Sequence, residues 1–120
     1  MIREKLPNLE QFLSGYFHED WKVQATDAET VIRLYLNDGT TSIVPQVINE
    51  IDRLLQMNLS EEQLGDLLIY DLGCCYDPQF QGMSDVEWLR WVRTSLKQGI
   101  SKLETPMVET RFLGKTGFLG

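Results

Sequence analysis

What the chain has little of narrows its chemistry first. Its 120 residues include one histidine, His18, and two cysteines, Cys74 and Cys75. A lone imidazole and two adjacent thiols fall short of a zinc ligand set, and neither C-x-x-C nor H-E-x-x-H spacing occurs. Neighbouring cysteines also make a poor disulfide, because bridging them forces a strained ring. They read as reduced, small, mostly buried side chains of a cytoplasmic protein. No charged-then-apolar leader opens the chain, and no apolar run approaches membrane-spanning length. There is no G-x-S-x-G elbow and no phosphate-cradling glycine loop. The expectation is therefore no catalytic residue, no metal and no cofactor.

Basic charge is scarce as well. Eleven Lys and Arg face eighteen Asp and Glu, for a net charge of −7. The imbalance is local: residues 1–87 carry sixteen acids and five bases, whereas residues 88–120 carry two acids and six bases. An acidic body argues against direct binding of nucleic acid, whose phosphates call for Lys and Arg. It suits a partner that is itself basic, although acidity also serves plain solubility.

The residues that are present pattern as helices. Length fits one domain, and 42% hydrophobic residues suffice for a core. A short helix is predicted over 8–14, capped by Asn8 and ended by Gly15. The Thr26–Glu29 spacing predicts a capping box before Ala28, Val31, Ile32 and Tyr35, with Leu34 and Leu36 widening the stripe. Ser42 is the expected cap of a third helix, with Pro45 in its first turn. Val44, Val47, Ile48, Ile51, Leu54 and Leu55 form its apolar face. Ser60 with Gln63, and Ser84 with Glu87, are two further capping boxes. Leu64, Leu67, Leu68 and Leu72 follow the first, with Gly73 as the stop. Leu89, Val92, Leu96, Ile100 and Leu103 follow the second, flanked by Trp88 and Trp91. The predicted class is all-α: about five helices with short loops over residues 1–105, then an irregular tail over 106–120.

Two turns hold most of the chemistry. "GYFHEDW" (15–21) sets His18, Glu19 and Asp20 among Tyr16, Phe17 and Trp21. A small enzyme working through His18 with Glu19 or Asp20 would need a nucleophile or oxyanion donor that no motif supplies. The plainer reading makes the aromatics a structural corner, with His18 hydrogen-bonded within it. "DLGCCYDP" (71–78) is a second turn with Asp71, Tyr76 and Asp77. Should the two turns share one end of the bundle, they would form an acidic, aromatic face of the kind protein interfaces use; they could equally be separate corners.

Four blocks together resemble the immunity proteins of contact-dependent growth inhibition: "LEQFLSGYFHEDW" (9–21), "DRLLQMNLSEEQL" (52–64), "LGCCYDP" (72–78) and "DVEWLRWV" (85–92). The blocks run in order over roughly residues 6–97. Glu19 stands where the family pattern has Gln, and Cys75 where it has Tyr. The resemblance implies a helical, non-enzymatic cytosolic inhibitor that binds the C-terminal toxin domain of its own system. A basic nuclease, its cleft covered, is the toxin that an acidic partner suits. The expected toxin-binding residues are Glu19, Asp20, Asp71, Tyr76 and Asp77, taken as exposed, with Glu61, Glu62 and Asp66 as a second patch. Tyr16, Phe17, His18, Trp21, Trp88 and Trp91 are expected to hold the fold. The alternative is an acidic helical interaction module with no toxin partner.

Overall fold

The computed structural model describes residues 5–38 and 42–104. Its main elements are five helices: α1 (Pro7–Tyr16), α2 (Ala28–Asn37), α3 (Val44–Gln56), α4 (Glu61–Asp66, continued by a π turn over Leu67–Asp71) and α5 (Asp85–Glu104). Single turns at Trp21–Gln24 and Pro78–Gln81 fill the connections. No strand occurs among the described residues, so the all-α expectation holds. The predicted tail at 106–120 lies outside the described residues, as does the side chain of Leu103.

Helix α5 is the spine. It packs against α3 on one side, α2 on another and α4 near its start, while α1 lies on α3. The periodic apolar positions meet there. Leu9, Phe12 and Leu13 of α1 are buried, as are Val31, Ile32 and Tyr35 of α2. They join Val47, Ile51 and Leu54 of α3 and Trp88, Leu89, Val92 and Leu96 of α5. Trp88 has no exposed surface, and truncating so large a buried side chain costs about 3–5 kcal/mol. Leu36, Leu55 and Leu67 are only half-buried, and Leu34 faces solvent.

Three predicted helix starts move. Asn8 does not cap α1, which begins with Pro7 after Leu6. The buried carboxylate of Glu50, on α3, does so from across the core. It accepts from the Leu9 N–H and from Asn8 Nδ2, each at 2.8 Å. Helix α2 is capped by Asp27 rather than Thr26, and Asp27 accepts from the Thr30 N–H at 2.8 Å. Asp serves as an N-cap at least as well as Thr, so the neighbouring carboxylate wins. Before α3 the cap position is Ile43, with no side-chain cap from Ser42.

Gly15 does not end α1 either; the helix runs on to Tyr16. The Tyr16 ring packs at 6.1 Å from Phe12 and 5.0 Å from Tyr35, which holds the last turn in place. The other two capping boxes form as spaced. Ser60 Oγ accepts from the Gln63 N–H and Gln63 Oε1 from the Ser60 N–H. Ser84 and Glu87 do the same before α5.

Candidate functional site: an acidic, aromatic corner

The two chemistry-bearing turns meet. The Cys75 N–H donates to the Phe17 carbonyl at 2.7 Å, pinning one turn to the other. Behind that bond the rings interlock. Tyr76 lies 5.5 Å from Phe17, 5.1 Å from Trp21 and 5.2 Å from Trp88. One side-chain oxygen, Gln81 Oε1, accepts from both the Tyr76 hydroxyl (2.7 Å) and Trp88 Nε1 (3.0 Å). Both buried aromatic donors are thus satisfied, as burial demands.

The candidate residues divide by what they touch. Phe17 and Trp21 are sealed in the core, and Trp91 is half-buried against it. Tyr16 donates its hydroxyl to Asp38. Burial, then the Asp38 carboxylate, pushes the phenol up to about 12. His18 is half-buried, and its Nδ1 accepts from the Asp20 N–H at 3.0 Å. The imidazole is thereby occupied in shaping its own turn. Glu19 and Asp20 are exposed, with no side-chain partner among the described residues.

Tyr76 was expected at the surface and is not there: it is 6% exposed. Its ring completes the stack just described, so the most apolar residue of the second turn is drawn inward. Asp71, also expected to be exposed, is half-buried instead. Asp77 is exposed and accepts from the Gln79 N–H at 3.0 Å, capping the single turn that follows. Glu61 has a structural duty that its position at the start of α4 conceals. Its two oxygens accept from the Asp85 and Val86 N–H groups at 2.9 and 3.3 Å, capping α5 from another helix. Glu62 and Asp66 are exposed.

Beside this corner lies a groove of about 480 Å3 between the π turn of α4 and the Cys74–Gln79 segment. Leu68, Ile69, Tyr76 and Pro78 line it, with Asp77 and Asp85 among its polar groups. Asp85 was not among the expected site residues. The N-terminus of α5 favours its charge, yet burial, Glu61 and Asp77 together hold its carboxyl above the usual range. Opposition to the charge therefore outweighs the helix dipole. Large apolar side chains stand open nearby: Ile69, Tyr70 and Phe80 are 52%, 77% and 64% exposed. The Lys22 ammonium sits 4.9 Å from the Phe80 ring. A phenylalanine in a polar loop was a readable signal; the meeting of Asp85 with Glu61, 24 positions away, was not.

Among the described residues, no cluster of His, Cys, Asp or Glu is placed to hold a metal ion, and no helix is long and apolar enough to cross a membrane. The exposed groups at this corner are carboxylates and aromatics carried on a helical frame, a mix that protein interfaces use. The sequence profile described as CdiI immunity protein matches residues 5–96, and the chain belongs to that family. It is also similar to a chain in the crystal structure of the CdiA-CT/CdiI complex from Y. kristensenii 33638. That match has a TM-score of 0.71 at 30% identity and covers 77% of this chain and 98% of the other. No curated protein matches the chain. CdiI immunity proteins are toxin inhibitors, not enzymes.

Proposed function

We propose that this protein binds the CdiA-CT toxin domain of its own contact-dependent growth inhibition system and neutralises it in the cytoplasm. The observation that carries the reading is the family match over residues 5–96, supported by the fold shared with a chain of a toxin–immunity complex. The toxin is a basic nuclease whose substrate cleft the immunity protein covers. Supporting that finer statement is the charge of residues 1–87, which hold sixteen acids against five bases. A nuclease must attract phosphates, so its cleft is cationic, and an acidic surface competes for the same field. Glu19, Asp20, Glu62, Asp66 and Asp77 are the exposed carboxylates proposed to face it. Tyr76 and Glu61 contribute by holding that surface in shape.

Co-expression with the toxin domain encoded alongside tests the reading. The expected result is restored growth and co-purification of the two chains. A toxin domain that kills regardless, and that leaves this protein behind on the column, would refute it.

A further inference from the structure

We infer that the groove between the π turn of α4 and the Cys74–Gln79 segment receives a lysine- or arginine-bearing segment of the toxin domain, its cation set between Asp77 and Asp85. The inference rests on the function proposed above and names where on the protein the toxin engages.

The groove offers two kinds of surface in one place. Leu68, Ile69, Tyr76 and Pro78 supply apolar wall, and Asp77 and Asp85 supply negative charge. A lysine or arginine side chain has the same two parts, an apolar stem and a charged head. Glu61 and Asp77 lie close enough to Asp85 to oppose its charge, and neither Asp77 nor Asp85 forms an ion pair with a described residue. A neutral apolar occupant would strip water from these carboxylates and give nothing back. An anionic one would be repelled. A cation relieves the crowding. Ile69, Tyr70 and Phe80 add exposed apolar area, and Phe80 already holds the Lys22 ammonium over its ring. A second groove, between α2 and α5, lacks this unmet demand. Its Glu29 and Arg33 pair with each other at 3.2 Å.

The test is a titration of the inactivated toxin domain against full-length variants. Ile69→Lys places a like charge beside the expected cation at a position already half open to solvent. The double variant Asp77→Asn/Asp85→Asn removes both charges without changing shape, and Asn retains the capping oxygen. Gln98→Lys is the control, about 20 Å further along α5 at 1.5 Å per residue. The groove variants are expected to raise Kd by roughly 10-fold or more, while the control stays within about 2-fold. The double variant is expected to melt no lower than wild type at neutral pH, which separates lost binding from lost folding. Should Ile69→Lys fail to fold, the isosteric pair decides alone. Wild-type affinity in the groove variants overturns the inference and leaves toxin neutralisation standing. Equal weakening by Gln98→Lys also overturns it, since overall charge would then suffice. A wild-type protein that does not bind the domain overturns the proposed function, and the groove with it.

Discussion

Glu50 is the charged side chain most deeply placed among the described residues, 2% exposed inside an apolar core. It persists there because both its oxygens are engaged, one on a helix N–H and one on an amide. Glu50→Ala leaves the Leu9 N–H buried without an acceptor. The expected loss is about 2–3 kcal/mol in urea unfolding, and Glu50→Gln, with one acceptor oxygen left, loses less. Tyr16 gives a pH-dependent counterpart. Its phenol is raised from 10.0 to about 12, so the neutral form is the one the fold favours. The stability it contributes is complete below pH 10 and is lost as pH rises through about 12. Absorbance titration is expected to show a phenolate step near pH 12 that Tyr16→Phe removes. Neither role was legible in sequence. Glu50 meets Leu9 across 41 positions and Tyr16 meets Asp38 across 22, so no local spacing announces them.

Helix ends show where local reading works. The Ser60 and Ser84 capping boxes formed because donor and acceptor lie three residues apart and no third group competes. The Thr26 start failed by one position because Asp27 did compete. The end of α4 follows a rule that sequence does not print. The Leu72 N–H donates to the Leu67 carbonyl at 3.0 Å, a turn one residue wider than an α turn. Leu64, Leu68 and Leu72, spaced by four, stay buried through it. Gly73 then closes it with φ 68°, and a Cβ there would sit 2.9 Å from Ser14 Cβ. Gly82 has the same φ and open space around it. Gly82→Ala should therefore cost only the backbone penalty, about 1–2 kcal/mol. Gly73→Ala should cost clearly more, and the difference between their chemical-denaturation midpoints isolates the contact with α1.

At the scale of the molecule, the two motif turns meet at one corner, and Tyr76 lies deeper in it than expected. "GYFHEDW" and "LGCCYDP" do adjoin, but Tyr76 joins the aromatic core, and the open apolar groups near that corner are Ile69, Tyr70 and Phe80 instead. Alternation of buried and exposed positions is readable along a helix; within an irregular loop it depends on which neighbour the loop lands on. The charge imbalance, in contrast, needs no fold to act. Association with a cationic toxin domain is expected to slow steeply between about 0.01 M and 1 M salt, as the screening length falls from about 30 Å to about 3 Å. Dissociation should change far less. Stopped-flow mixing at a series of salt concentrations checks both.

The paired cysteines gain a practical meaning from where the second turn lands. Cys75 is exposed beside the groove, whereas Cys74 is buried, its thiol pushed up to about 12 by burial. A thiol-reactive dye should therefore label one site on the native protein and two on the unfolded one. The first label would report whether the toxin domain docks at the proposed groove, and the arrival of the second would time the opening of the core.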